Sequence, residues 1–227
     1  MTKREFDNIY FLGIGGIGMS ALARYFLHEG YRVAGYDLTA TPLTRALESE
    51  GAEVHYEDDV NLIPEVMRSS ANTLVVLTPA IPADHKEWAW FREQGFTIEK
   101  RSQMLGVLSE GKCVMAVAGT HGKTTTSTLA SWLNYAVAEE GSAFLGGISR
   151  NFASNLVLGE GRRLVVEADE YDRSFLRLHP NVAVITAADA DHLDIYGTAE
   201  AVTEAFEEFA SQIKGGGALI LKQGVEL

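Results

Sequence analysis

The run Ala118-Gly119-Thr120-His121-Gly122-Lys123-Thr124-Thr125-Thr126 has the residue types of a phosphate-binding loop. It follows the apolar stretch Cys113-Val114-Met115-Ala116-Val117, which reads as a strand, and precedes a helical pattern from Ser127 to Ala138. Strand, glycine loop and helix in that order point backbone amides and a helix N-terminus at an anion, and glycines let the backbone come close. In such a loop Gly119, Thr120, His121, Gly122, Lys123, Thr124 and Thr125 surround a nucleotide's phosphates. Lys123 would reach the terminal phosphates, and the Thr124 hydroxyl would ligand Mg²⁺. The spacing departs from G-x-x-x-x-G-K-[ST], because Val117 stands five before Gly122 and the upstream glycine is Gly119. The loop is therefore a shortened variant, and the competing reading is an ordinary strand-to-helix turn with an exposed lysine.

Two later apolar runs also end in acidic residues. Leu164-Val165-Val166 leads into Glu167-Ala168-Asp169-Glu170, and Val182 to Thr186 leads into Asp189-Ala190-Asp191-His192-Leu193-Asp194. Ligands in open α/β sheets sit at the carboxyl ends of the strands, so these ends and the phosphate loop are expected to converge. Carboxylates and a neutral imidazole opposite Thr124 could hold divalent cations that neutralise a transferring phosphoryl group. Glu167 is thus a candidate metal ligand, against the plainer reading of a solvated strand end. His192 is a candidate for a metal or phosphate role.

A second glycine loop lies near the N-terminus. Gly13, Gly15 and Gly18 match G-x-G-x-x-G between the strand Ile9 to Leu12 and a helix Met19 to His28, and Asp37 follows the strand Arg32 to Tyr36. This pattern reports a pyrophosphate at a helix N-terminus and a sugar hydroxyl beyond it, without saying which nucleotide. An NAD-dependent oxidoreductase is one reading, although no hydride-transfer constellation accompanies it; a non-catalytic nucleotide-sensing module is another.

The elements that must position these loops alternate. Helices are expected at Leu43–Glu50, Val60–Met67, His85–Gln94, from Arg101 onward and at Ala199–Ile213. Strands are expected at Glu53–Tyr56, Thr73–Leu77, Phe96–Ile98, Ala143–Leu145, Leu164–Val166, Val182–Thr186 and Ala218–Leu221. Alternation of this kind predicts parallel sheets covered on both faces. Ile148 to Leu158 reads as loop or short irregular pieces. Trp88, Trp90 and Phe91 read as core, and His28, His55, His85 and His179 as surface or core histidines. The fold class is α/β, a Rossmann-like parallel-sheet domain followed by a P-loop ATPase α/β domain. The boundary falls at Ser109 to Lys112, giving domains 1–108 and 109–227.

Composition limits the partners. With 227 residues, 46% hydrophobic, the chain can bury a large core, and a net charge of −12 leaves no broad basic surface for nucleic acid or an anionic membrane. Anionic small molecules must be held by local features. Cys113 is the single cysteine, so no disulfide framework forms, and its place in an apolar strand suggests a buried core thiol. No apolar run approaches bilayer length, which makes a cytoplasmic location the expectation.

The motifs Gly13-Ile14-Gly15-Gly16-Ile17-Gly18-Met19-Ser20, Ala118 to Thr126, Glu167 to Glu170 and Asp189 to Asp194, in this order, resemble the Mur ligase family. The resemblance covers essentially the whole chain. It implies a first domain holding a UDP-sugar rather than NAD and a central domain binding ATP and Mg²⁺. The wording of the loops implies UDP-N-acetylmuramate and L-alanine as substrates, joined in peptidoglycan synthesis through an acyl phosphate; a related ligase that recycles murein tripeptide onto the same UDP-sugar is the alternative. Residue by residue, it implies that Gly15, Gly16, Ile17 and Gly18 lie against the UDP diphosphate, with Asp37, Thr78 and Arg101 lining the rest of that pocket. Lys123, Glu167 and His192 are the implied catalytic groups, with Thr124, Glu167 and His192 on metal. Family members usually carry Thr-Asn where this chain has Thr186-Ala187. They are also longer, with the rest of the ATPase domain and a third domain, so the expectation is an N-terminal portion that binds the UDP-sugar, is a monomer or weak homodimer, and is weak or inactive in catalysis alone.

Overall fold

A computed structural model of the chain describes residues 6–138, 141–189 and 193–227. The chain divides into two compact units, Met1–Met104 and Leu105–Leu227.

The first unit is a five-stranded sheet of β1 (Asn8–Leu12), β2 (Arg32–Tyr36), β3 (Glu53–His55), β4 (Thr73–Leu77) and β5 (Thr97–Lys100), in the order β3-β2-β1-β4-β5 and parallel throughout. The order reverses between β1 and β4, so a crevice opens at their carboxyl ends. Between the strands run α1 (Ile17–His28), α2 (Pro42–Glu50) and α3 (Lys86–Glu93). α2 begins with a capping box: the Thr41 hydroxyl accepts from Thr44 N, and Thr44 Oγ1 accepts from Thr41 N. Tyr10, Leu12, Ala34, Tyr36, Ile63, Met67, Val75, Phe91 and Phe96 form one core cluster, with Trp88 and Trp90 packed against it. The aromatic run of α3 is therefore core.

A helix is expected over 60–67, but two short 3₁₀ turns form instead, Val60–Leu62 and Glu65–Met67. Pro64 is the cause. It disfavours helical backbone at the residue before it, and Ile63 is extended at ψ 123°.

A polar network is buried in this unit. Glu87 at the start of α3 is fully excluded from solvent, and its Oε2 lies 2.7 Å from the Tyr10 hydroxyl, which is also 2.7 Å from His55 Nε2. Asp58 accepts from the Lys86 and Glu87 amides at 2.9 and 3.1 Å and lies 3.2 Å from His85 Nδ1. His55 and His85 are thus members of one cluster rather than separate core or surface residues.

The second unit is a six-stranded sheet, β11-β10-β6-β9-β7-β8. Its strands are β6 (Cys113–Ala118), β7 (Ser142–Ser149), β8 (Ser154–Val157), β9 (Arg163–Glu167), β10 (Val182–Ile185) and β11 (Ala218–Leu221). All pairings are parallel except β7 with β8. α4 (Arg101–Ser109) leads in, α5 (Lys123–Ala138) follows β6, and α6 (Leu193–Tyr196) and α7 (Ala199–Ser211) follow β10. α7 buries Val202, Ala205, Phe206 and Phe209, and Phe175 stacks on Phe209 at 5.0 Å and meets Phe206 edge-on at 5.2 Å.

Two expectations need correction here. The segment 148–158 is a bulged antiparallel hairpin, because β7 continues through Gly146 and Gly147 to Ser149 and turns back through Ala153 (φ +51°) into β8. Cys113 is exposed, not a core thiol, because it is the first residue of β6, before the buried Val114. Among the described residues no helix is long and apolar enough to cross a membrane.

Candidate functional site

The phosphate loop leaves the carboxyl end of β6 and enters α5 at Lys123, four residues earlier than the apolar periodicity indicates. Gly119 (φ +130°) and Gly122 (φ +81°) take backbone conformations that side chains rarely adopt. A Cβ on Gly119 would also sit 2.7 Å from Ala187 N, so the segment after β10 presses directly on the loop. That segment is bonded to it as well: Thr120 N donates to Ala187 O at 3.1 Å, and Thr186 Oγ1 lies 3.0 Å from Ala118 O and 2.5 Å from His121 O. The backbone contact survives the alanine at 187.

The expected convergence of strand ends is present. Glu167 closes β9 and is held on both oxygens: Thr124 Oγ1 donates to Oε1 at 2.9 Å, while Ser127 Oγ and Gly146 N donate to Oε2 at 3.2 and 2.9 Å. Lys123 Nζ donates to Gly119 O at 2.8 Å and to Glu170 Oε1 at 2.7 Å. Asp189 lies 3.4 Å from Thr120 Oγ1 and 3.7 Å from His121 Nε2. The His121–Asp189 pair is exposed on both sides, so it contributes little by itself. Thr125 follows on the exposed side of the first turn of α5.

The residues fit a small, hard cation. Octahedral Mg²⁺ takes oxygens at about 2.1 Å, which places adjacent ligands about 3 Å apart. Thr124 Oγ1 and Glu167 Oε1 are 2.9 Å apart. Among the described residues no group of three or more His, Cys, Asp or Glu side chains forms a metal cage, so any cation here would keep ligands from water or substrate. His192, the third expected metal ligand, lies outside the described residues.

Glu170, Ser127, Gly146 and Thr186 join the site without an individual role that the sequence assigns them. The signal for Gly146 was available, since a glycine inside a strand marks close approach of another group. A Cβ there would overlap the Glu167 carboxylate.

The first unit carries its own site. Its loop runs from Gly13 (φ +89°) to Gly16, which caps α1 without a side-chain bond, and the amides at a helix start point outward from it. Gly15 N donates to Asp37 Oδ2 at 2.7 Å, and Thr39 N donates to Asp37 Oδ1 at 3.2 Å. A Cβ on Gly18 would sit 2.5 Å from Arg101 Nη1, so the guanidinium lies across the first turn of α1. Thr78, after β4, is bonded to the end of β1 through Thr78 N to Leu12 O at 3.3 Å. Gly15, Gly16, Ile17, Gly18, Asp37, Thr78 and Arg101 are therefore brought together at the switch point, a helix N-terminus with an arginine beside it, which suits an anion.

Fold and sites together define a two-unit α/β protein, with one glycine loop of the kind found in dinucleotide-binding folds and one loop of phosphate-binding type backed by carboxylates. Comparison with known families narrows this. Residues 8–112 match the Mur ligase family catalytic domain and residues 117–226 match the Mur ligase middle domain. The chain belongs to the Mur ligase family. It is 54% identical over 228 residues to a protein of Phocaeicola vulgatus named UDP-N-acetylmuramate–L-alanine ligase, covering 100% of this chain and 50% of that protein. A Porphyromonas gingivalis protein of the same name is 54% identical over 217 residues, covering 95% and 48%. Among solved structures, the UDP-N-acetylmuramate-alanine ligase MurC of Thermotoga maritima superposes with a TM-score of 0.86 at 30% identity, covering 96% of this chain and 49% of that one. The UDP-N-acetylmuramate:L-alanyl-gamma-D-glutamyl-meso-diaminopimelate ligase of Neisseria meningitides gives a TM-score of 0.87 at 25% identity, covering 97% and 72%. The chain spans about half the length of the curated relatives it matches.

Proposed function

We propose that this chain is the UDP-sugar-binding and ATP-binding part of an ATP-dependent ligase that joins L-alanine to UDP-N-acetylmuramate. The observation that carries this reading is the set Lys123, Thr124 and Glu167 brought together at converging strand ends, with Glu167 accepting a hydrogen bond from the Thr124 hydroxyl. The names of relatives 54% identical along the chain supply the substrates. Among solved structures the identity is 30% to the alanine ligase and 25% to the tripeptide ligase, and the relatives at 54% carry the alanine name, which together favour alanine.

In this reading the UDP diphosphate lies against the first unit's loop from Gly15 to Gly18, with Arg101 beside it and Asp37 and Thr78 lining the pocket. The second unit holds the ATP phosphates on the loop from Gly119 to Thr125. Thr124 and Glu167 would hold Mg²⁺, which supplies charge neutralisation at the phosphates; His192 would hold a second metal. A carboxylate is a poor electrophile until one oxygen becomes a leaving group. Transfer of the γ-phosphoryl group to the lactyl carboxylate gives an acyl phosphate and ADP, and the amine of L-alanine then attacks its carbonyl carbon, losing a proton as phosphate leaves. The chain's own groups position reactants and stabilise charge: Lys123 meets the charge on the transferring group, and the loop amides orient it. The reaction belongs to the cytoplasm, where ATP and the UDP-sugar are made, and a monomer or weak homodimer suffices for it.

A thermal-shift titration with UDP-N-acetylmuramate, Mg-ATP and NADH as parallel ligands tests the reading, since a ligand that binds only the folded state stabilises it. Stabilisation by the UDP-sugar and by Mg-ATP, with none from NADH, is expected. Stabilisation by NADH alone would overturn it.

A further inference from the structure

The Lys123 ammonium has three hydrogens to give. Two are already directed, one to Glu170 Oε1 at 2.7 Å and one to Gly119 O at 2.8 Å. We infer that Glu170 is a positioning residue for Lys123: it holds the ammonium with its third N–H turned to the phosphate position, and it stays engaged when nucleotide binds. This rests on the reading of the loop as an Mg-ATP site.

Burial and anchoring support a fixed post rather than a counter-ion that swings away. The Glu170 side chain is 2% exposed and that of Lys123 17%. Glu170 caps the 3₁₀ turn Tyr171–Arg177, and its carbonyl accepts from Tyr196 Oη at 2.6 Å and from Arg173 N at 3.0 Å. Moving the carboxylate out of the loop would strip a buried charge of its partner. A lysine on a four-carbon stem otherwise has to be immobilised when it meets a ligand, and a lysine already held loses less freedom at that moment. The carboxylates at the end of β9 also divide the work. Glu167 holds the Thr124 hydroxyl, and Glu170, three residues on, holds the lysine.

The test is calorimetric titration of the 227-residue chain with Mg-ATP, using wild type, E170A, E170D, E170Q, K123M and the K123M/E170A double variant, with a ligand-free melting temperature for each. E170A is expected to weaken Mg-ATP by about tenfold or more, the scale of a charge-assisted hydrogen bond. E170D, one methylene short of the lysine, should behave like E170A, and E170Q, which keeps an acceptor oxygen, should stay within about threefold of wild type. In the K123M background the E170A change should alter affinity by less than about twofold, because no ammonium remains to position. Wild-type affinity in both E170A and E170D, or tighter binding, overturns the inference and makes the carboxylate a displaced counter-ion. An equal loss with and without Lys123 also overturns it, in favour of a role in local folding. Absence of Mg-ATP binding by wild type would instead refute the nucleotide reading itself, and this inference with it.

Discussion

The Glu87 network makes the stability of the first unit depend on pH in a direction that can be worked out from its hydrogens. His55 Nδ1 lies 3.0 Å from Glu57 O, and a carbonyl only accepts, so that nitrogen carries a hydrogen. The Tyr10 hydroxyl has one hydrogen and stands 2.7 Å from both His55 Nε2 and Glu87 Oε2. Either Glu87 is protonated and donates to Tyr10, which donates to His55, or Glu87 is ionised, accepts from Tyr10, and faces an imidazolium. Burial decides for the neutral chain: it pushes the Glu87 carboxyl up to about 8, with the Tyr10 bond and a backbone hydrogen bond from Asp59 opposing the rise and the Asp58 charge adding to it, and it lowers His55 and His85.

For a carboxyl raised from 4.5 to about 8, the stabilising contribution is whole below 4.5, where both states are protonated. As pH rises the unfolded state releases the proton first, and the contribution is gone above about 8. The full span is bounded above by about 5 kcal/mol at 1.36 kcal/mol per unit. The lowered histidines act oppositely, losing stability as pH falls below their ordinary value of 6.5, and they are silent above it. Between pH 6.5 and 8 Glu87 therefore stands nearly alone, and wild type should lose about 2 kcal/mol over that interval. The carboxamide of E87Q cannot titrate and can donate to Tyr10 as the neutral acid does, so the curve of that variant should be flat by comparison. The assay is the opening free energy of the β1 amides by hydrogen exchange, which reports on this unit by itself. Parallel curves for wild type and E87Q from pH 6.5 to 8 would refute the neutral-carboxyl reasoning. So would infrared spectra at pH 6.5 in which wild type shows no protonated-carboxyl band that E87Q lacks.

Other outcomes follow from single positions. G146A brings a methyl group onto the Glu167 carboxylate and should abolish stabilisation by Mg-ATP while leaving that by the UDP-sugar intact; retained Mg-ATP stabilisation would show that Glu167 is not needed where it stands. Phe206 is fully buried against Phe175, so F206A should cost about 3–5 kcal/mol by denaturant unfolding of the second unit, and a loss under about 1 kcal/mol would contradict the packing. Cys113 is exposed and should react with a disulfide reagent in the native state at one equivalent per chain, whereas a thiol that reacts only after unfolding would restore the core assignment.

What could be read from the sequence was what local patterns encode. Buried parallel strands are continuous apolar runs, so β1, β4, β6, β9 and β10 stand out, and each glycine loop announces itself by position between a strand and a helix. Proline chemistry would have broken the expected helix at 60–67, since Ile63-Pro64 sits in its middle. The hairpin of β7 and β8 was hidden because Gly146 and Gly147 look like a break, when they are there to let Glu167 and Thr124 approach. The shortness of the phosphate loop has the same kind of origin. A longer loop would wrap the phosphate with its own residues, but here the end of β10 supports the turn from outside, through Thr186 against Ala118 O and His121 O and through Ala187 O on Thr120 N. The Thr186 bonds span 68 and 65 residues of chain. No window of sequence around Gly119 contains those partners, which is why the shortened spacing reads locally as a departure and only in the fold as a complete cradle.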